Sequence, residues 1–370
     1  MRRVLMTAET GGGVWTYTRD LAAALRRRGD DVVIATMGAP LEREERAAAE
    51  SRGIRLHESE FPAEWLPGVW AEIDRAGDWL LEVAEREAPD LVHLNGYCHA
   101  NRAWRRPVIV TAHHCVFSWW TAVHRQAPPA SWDEYRARVT AGLEAARRVI
   151  APTRALLRAL EEHYTALPHA RVVVSGRDAR AVRPGVKQSF VLSAGRLWDE
   201  AKNLAALDRA AAELPWPVRV AGDAFHPDAG RAVEPLHLEV LGRLSRPVLA
   251  EVMSRAPIYA APARYEPFGM AAVEAGLAGC ALVLGDLPSL REVWGGAALF
   301  VDPDDPDRLA ATLRELTGNG RRRGQLARAA RLRALSLGPD RMADEVSSIY
   351  DEVMSESRGD GARAAMLAGG

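Results

Sequence analysis

The stretch VLMTAETGGGVWTYTRDLAAALRRRGDDVVIAT, residues 4–36, decides the fold class. Val4-Leu5-Met6 is a short apolar run of strand type, and Gly11-Gly12-Gly13 is a turn. From Trp15 to Arg28 the apolar positions Leu21, Ala24 and Leu25 recur at helical spacing, and Gly29 ends that helix. Asp31 to Thr36 is the second strand. A strand, a glycine turn, a helix and a strand in succession are the building unit of a parallel α/β sheet.

The same alternation runs outward along the chain. Leu91 to Leu94, Pro107 to Thr111, Val149 to Ala151 and Arg171 to Val174 read as further short strands. Arg180 to Gln188, with Pro184-Gly185, reads as a linker. A second series follows: Phe190 to Ser193, Val218 to Ala221, Ile258 to Ala260, Ala281 to Leu284 and Ala298 to Val301, with Leu309 to Leu316 starting a late helix. The expected domains are therefore 1–183 and 184–340. Met342 to Met354 carries Val346, Ile349, Tyr350 and Val353 on one stripe. It is expected as a helix (341–356), followed by a disordered tail (357–370) rich in Gly, Ala and Ser.

Composition bounds the function. The 370 residues suit two domains, and 48% apolar with 26% charged is ordinary for a globular enzyme. The net charge of -1 leaves no global basic field for nucleic acid, and Arg26-Arg27-Arg28 and Arg105-Arg106 read as solvated helix ends or loops. Three scattered cysteines, Cys98, Cys115 and Cys280, make neither a disulfide framework nor a CxxC zinc pair, so a reducing cytoplasm is expected. The apolar run at the N-terminus is too short for a signal peptide. Phe268 to Leu284 is broken by Glu274 and glycines, so it is not a membrane span. No strong basic amphipathic helix appears, which leaves peripheral membrane contact open.

Four elements carry chemistry. In Glu266-Pro-Phe-Gly-Met-Ala-Ala-Val-Glu274 the proline suits a first helical turn, and the N–H groups of Phe268, Gly269 and Met270 offer an anion site. Eight helical residues span roughly 12 Å, longer than the ~5–9.5 Å between hydrolase carboxylates. The two glutamates are therefore expected to grip different parts of one long ligand, although two ordinary helix glutamates would look the same. Gly195-Arg196-Leu197 with Lys202-Asn203 puts two cations after a strand, where ligands of open α/β sheets bind. Gly11-Gly12-Gly13 can present N–H groups to phosphate. It is a poor dinucleotide fingerprint, because Thr16 stands where the third glycine belongs and Thr36 ends strand two without an acid. In Thr111-Ala112-His113-His114 the adjacent histidines face opposite ways, so they cannot easily share a metal, and no metal site is expected.

Together these residues resemble the retaining GT-B glycosyltransferases of family GT4, over nearly the whole chain. The Glu266-to-Glu274 segment is similar to the family's E-x7-E signature, Gly195-Arg196-Leu197 with Lys202-Asn203 to its G-R-L…K-N motif, and Gly12-Gly13 and Thr111-Ala112-His113 to its glycine loop and histidine. Glu274-Ala-Gly-Leu-Ala-Gly and Phe300-Val-Asp-Pro-Asp are also family-like. His114 stands where the family often has Asp, Pro262-Ala263 replaces a usual serine, and Ser175-Gly176-Arg177-Asp178 replaces Asn-Gly-Val-Asp.

The resemblance implies two Rossmann-like domains facing a deep cleft, with the closing helix crossing back to the first domain. It implies that Arg196 and Lys202 stabilise a leaving diphosphate, and that Gly12 and Gly13 close over it. Glu266, Phe268, Gly269 and Met270 would contact sugar and phosphates, Glu274 the ribose, Arg243 and Leu244 the base, and His113 the sugar near the reacting centre. The reaction it implies is metal-independent transfer from a nucleoside-diphosphate sugar, uridine diphosphate first, to a carbohydrate or glycoconjugate hydroxyl, with no other cofactor. Aromatic faces suit sugar rings, so Trp15, Tyr97, Trp119 and Trp120 are the acceptor candidates, with Tyr17 and Phe117 nearby. A GT-B-fold nucleotide-sugar epimerase and a non-catalytic sugar-nucleotide binding protein are the competing readings.

Overall fold

In a computed structural model of the chain, residues 1–223 and 235–368 are described, with side chains to residue 359. The chain divides into two compact units. Met1–Val116, Pro128–Gly176 and Pro339–Gly370 form the first; Phe117–Ala127 and Arg177–Gly338 form the second.

Among the described residues, the first unit holds seven strands: β1 (Arg3–Glu9), β2 (Asp31–Met37), β3 (Arg55–Glu58), β4 (Leu91–Leu94), β5 (Val108–Thr111), β6 (Arg148–Ala151) and β7 (Arg171–Val172). All pair in parallel, in the order β3-β2-β1-β4-β5-β6-β7. The second unit holds β8 (Val191–Ala194), β9 (Val218–Ala221), β10 (Leu238–Gly242), β11 (Ile258–Ala261), β12 (Ala281–Gly285) and β13 (Leu299–Val301). Its parallel sheet runs β10-β9-β8-β11-β12-β13. Both sheets thus contain the Rossmann order 3-2-1-4-5-6, extended by a seventh strand in the first, and in both the order reverses beside the first strand.

The central strands are apolar on both faces because helices cover both sides of a parallel sheet. In β2 every residue is buried, and Val4, Leu5 and Met6 of β1 are fully enclosed. The second core gathers Val191, Val218, Val220, Ile258, Ala281 and Val283 under Leu207, Leu309 and Leu313. β3 and β10 are edge strands with exposed positions, reading Arg-Leu-His-Glu and Leu-Glu-Val-Leu-Gly. Neither shows the apolar run that marks the central strands.

The closing helix spans Pro339–Ala368, longer than the expected 341–356. It continues through the stretch expected to be disordered, because Ala, Arg, Met and Leu there are good helix formers despite two glycines. It packs on the first unit through Met342, Val346, Ile349, Tyr350 and Val353, all buried. Around that stripe Arg28 pairs with Asp344 at 2.6 Å, Arg2 with Asp351 at 2.8 Å, and Arg27 with Asp340 at 2.7 Å. In the core beneath, Tyr350 Oη lies 2.5 Å from His93 Nδ1, and His93 Nε2 lies 2.6 Å from Thr111 Oγ1.

Candidate functional site

In the second unit the expected donor residues collect where the strand order reverses, between β8 and β11. The ends of β8 and β9 converge: the Gly195 N–H donates to Ala221 O at 3.0 Å and the Gly222 N–H to Gly242 O at 2.9 Å. A Cβ on Gly222, whose φ is +146°, would lie 1.7 Å from Gly195 O, so only glycine fits. Past β8, the carboxylate of Asp199 is 4% exposed. It accepts from Arg196 Nη2 at 3.0 Å, from the Ala201 N–H at 3.0 Å and from Trp119 Nε1 at 2.9 Å. Asn203, at φ +56°, donates to Pro262 O at 2.9 Å and Pro303 O at 2.6 Å. That anchor ties the turn bearing Lys202 to the loop after β11.

Lys202 Nζ then lies 2.8 Å from Glu266 Oε2. The other oxygen, Oε1, accepts the Gly269 N–H at 3.0 Å, and Ser289 Oγ holds the Glu266 carbonyl at 2.5 Å. The helix itself spans Met270–Leu277 and does not include Pro267. Gly269 sits at φ +88°, a left-handed conformation that no right-handed helix can contain. Phe268 and Gly269 are buried and Met270 is half-buried. The carboxylate of Glu266 thus occupies an anion place made by one ammonium and one helix-start amide. Arg196 is more open, its guanidinium 5.4 Å from the centre of the Trp198 ring.

Glu274, one turn into that helix, forms an ion pair with Arg177, Nε to Oε1 at 2.7 Å. The side chains are 6% and 16% exposed. Arg177 is, with Ser175, one of the two positions at which the Ser-Gly-Arg-Asp turn departs from the family pattern. Arg243 is exposed and Leu244 half-buried, just beyond the end of β10.

In the first unit, Gly11, Gly12 and Gly13 are exposed at the start of the helix Gly12–Arg27, where Gly12 has φ +68°. Its amides are open to solvent. His113 follows β5, its Nε2 2.8 Å from Asn95 Oδ1, and Tyr17 lies edge-on to its ring with centroids 4.7 Å apart. Burial, reinforced by His114 and His93, pulls the His113 imidazole down to about 3, so the ring is neutral at physiological pH. The His114 carbonyl instead accepts from Tyr97 Oη.

Two acceptor candidates prove to be core residues. Trp15 is 1% exposed and donates from Nε1 to Glu45 at 2.8 Å; Tyr97 is equally buried. Neither presents a ring face to a ligand, because each spends its polar end inside the fold. Trp119 and Trp120 belong to the second unit rather than to 1–183, and their rings meet each other edge-on and contact His124, Trp119 edge-on and Trp120 tilted. Trp119 buttresses Asp199, and thereby Arg196. The contacts of Arg177 and Asn95 were not legible in the sequence, since each partner is distant along the chain, while Asp199 joins the nearby Arg196 to the distant Trp119. Among the described residues no group of His, Cys, Asp and Glu is arranged to hold a metal ion, and no helix is long and apolar enough to cross a membrane.

Comparison with known proteins places this geometry. Residues 11–178 match the model of Glycosyltransferase Family 4, and residues 177–333 that of Glycosyl transferases group 1. The chain is 29% identical to a D-inositol 3-phosphate glycosyltransferase of Kineococcus radiotolerans, over 93% of this chain and 91% of that protein. It is 28% identical to a phosphatidyl-myo-inositol mannosyltransferase of Mycolicibacterium smegmatis, over 86% and 85%. Among solved structures, sucrose-phosphate synthase from Thermosynechococcus elongatus is similar in fold, with a TM-score of 0.81 at 17% identity over 96% of this chain and all of that one. So is Anabaena HepE in complex with UDP and glucose, with a TM-score of 0.75 at 16% identity over 95% and 100%.

Proposed function

From the premise that this chain belongs to the family 4, group 1 glycosyltransferases of GT-B fold, we propose that it is a retaining enzyme needing no metal ion. It moves a sugar from a nucleoside-diphosphate sugar, uridine diphosphate first, to a hydroxyl of a carbohydrate or glycoconjugate. The observation that carries this reading is the Lys202–Glu266–Gly269 cluster, with contacts of 2.8 and 3.0 Å. An ammonium, a helix-start amide and the nearby Arg196 form a receptor for negative charge, and a carboxylate now fills it.

When the donor binds, its diphosphate takes the cations and Glu266 turns to the sugar. As the glycosidic bond to phosphate breaks, charge builds on the leaving oxygen. Arg196 and Lys202 stabilise that charge, which is worth most where it develops. The departing phosphate accepts the proton of the attacking hydroxyl on the same face, so configuration at the anomeric carbon is kept. Glu274 receives the ribose, Arg243 and Leu244 the base, and Gly12 and Gly13 lend amides to the phosphates. The names of the two relatives make D-inositol 3-phosphate and phosphatidyl-myo-inositol the first acceptors to try.

A panel of nucleotide sugars in thermal-shift assays selects the donor, since a ligand of the native state raises its stability. With that donor, Arg196→Ala and Lys202→Ala should each lower kcat by about 100-fold, the scale of one lost oxyanion contact. Wild-type kcat in both variants, or activity abolished by a chelator and restored by a divalent ion, overturns the mechanism. A new sugar released from donor alone would instead reveal an epimerase.

A further inference from the structure

The loop that leads into β5 carries Arg102, Trp104, Arg105 and Arg106, and Arg147 leads into β6. Strand register brings these two lead-ins together. β5 and β6 pair in parallel with Ile109 beside Arg148, and the Arg147 N–H donates to the Val108 carbonyl at 2.8 Å. Paired strands run ~4.8 Å apart, so the arginines of both lead-ins gather at one edge of the sheet. Strands begin at this edge, whereas His113 follows β5 at the opposite end. A cavity of about 360 Å³ lies here, walled by the four arginines, by Trp104 and by Ser357 of the closing helix. All of these belong to the first unit. Among the described residues no acid lines the cavity. Arg102 pairs with Asp78 and lies 3.8 Å from Asp74, and Arg105 is 3.9 Å from Glu85. Arg106 makes no ion pair among the described residues. Glu352 and Glu356 of the closing helix are engaged by Arg171 and Arg148. A guanidinium cannot shed its charge, so four of them around one cavity repel each other until an anion joins them, in a chain whose net charge is only -1.

We infer that this cavity binds a small organic phosphate carrying at least two negative charges, at a place separate from the residues proposed to hold the donor. Arg196 and Lys202 lie in the second unit, so the two anion places use different parts of the chain. The inference does not depend on sugar transfer. The volume falls within the ~300–1,000 Å³ of small-molecule sites. Each arginine fork can meet two phosphate oxygens at once, and forks arriving from two neighbouring strands suit a diphosphate or two phosphates on one skeleton. Trp104 supplies an apolar wall for that skeleton, its ring fixed by the indole N–H, which donates to the His99 carbonyl at 2.8 Å. A neutral sugar would leave the guanidinium charges unrelieved, and a cation would be repelled.

Isothermal titration of the full chain with inorganic pyrophosphate, in about 0.15 M NaCl, tests this. The starting protein is Arg196→Ala/Lys202→Ala, which removes the other anion place and should still bind pyrophosphate. Adding Arg106→Ser and Arg147→Ser should weaken that binding by about tenfold or more, the scale of lost charge-assisted hydrogen bonds. Both arginines are exposed, so the urea midpoint without ligand should stay where it was. A control adds Arg321→Ser and Arg328→Ser instead, which takes the same charge from the exposed face of the helix Gly320–Leu335. It should change the affinity by no more than about twofold. Equal losses in the two quadruple variants would reduce the cavity to diffuse surface charge and overturn the inference. So would a starting protein that takes up no pyrophosphate. Phosphatidylglycerol vesicles separate a soluble ligand from a lipid headgroup. Sedimentation with vesicles that needs Arg106 and Arg147, in a protein that ignores pyrophosphate, overturns the assignment to a soluble phosphate.

Discussion

Replacing Arg177 with methionine removes one half of the Arg177–Glu274 pair while keeping an unbranched chain in its place. Nε and Oε1 are 2.7 Å apart, and the two side chains keep only 6% and 16% of their exposure. Stripping one partner from a buried pair costs ~3–5 kcal/mol, because the other charge is left uncompensated. Glu274 retains some access to water, which lowers the expected loss to about 2–3 kcal/mol. Both residues lie in the second unit, so the loss falls on its unfolding transition. For a unit of that size it lowers Tm by roughly 4–12 °C. The double variant Arg177→Met/Glu274→Leu removes both charges and should return to within ~1 kcal/mol of the wild type. Scanning calorimetry of the three proteins reads these shifts. Donor kinetics supply a second axis: a Glu274 carboxylate that has lost its anchor should raise donor KM and leave kcat nearly unchanged. A Tm for Arg177→Met within about 1 °C of wild type, or a double variant less stable than the single, would falsify the account of the pair as a mutually compensated unit.

Tyr350→Phe leaves His93 Nδ1 buried without its 2.5 Å partner and should cost about 1–3 kcal/mol in urea unfolding; an unchanged midpoint would mean that this hydrogen bond adds nothing to the apolar stripe and the ion pairs that hold the closing helix. Stability should also fall as pH drops below about 6.5, the unfolded value. Burial holds His93 at about 3 in the folded protein, so between these values the unfolded chain binds a proton that the folded one does not. Each such histidine contributes a slope of ~1.4 kcal/mol per pH unit, levelling off near its folded value, and His93→Gln should flatten the measured slope by that amount. An identical slope in wild type and variant would show that His93 is charged in the folded state.

How far the chain could be read without coordinates depended on how local each signal was. Central strands such as Val4-Leu5-Met6 and Ala281 to Leu284 are continuous apolar runs, because both of their faces are covered, and that signature is written in consecutive residues. The edge strands Arg55–Glu58 and Leu238–Gly242 lack it, since an edge needs no second cover. The glycines, Arg196, Lys202 and the two glutamates were legible as a set through their spacing and their likeness to a family. Tertiary structure alone decided their pairing. It set Glu266 between Lys202 and Gly269, gave Glu274 to Arg177 from 97 positions away, and turned Trp15 and Tyr97 inward. It also gave Asn95 its place on His113, 18 residues on. A hydrogen bond or ion pair depends on distance in space, and distance in space between remote residues is set by how strands are ordered in a sheet, which no local run of residues encodes.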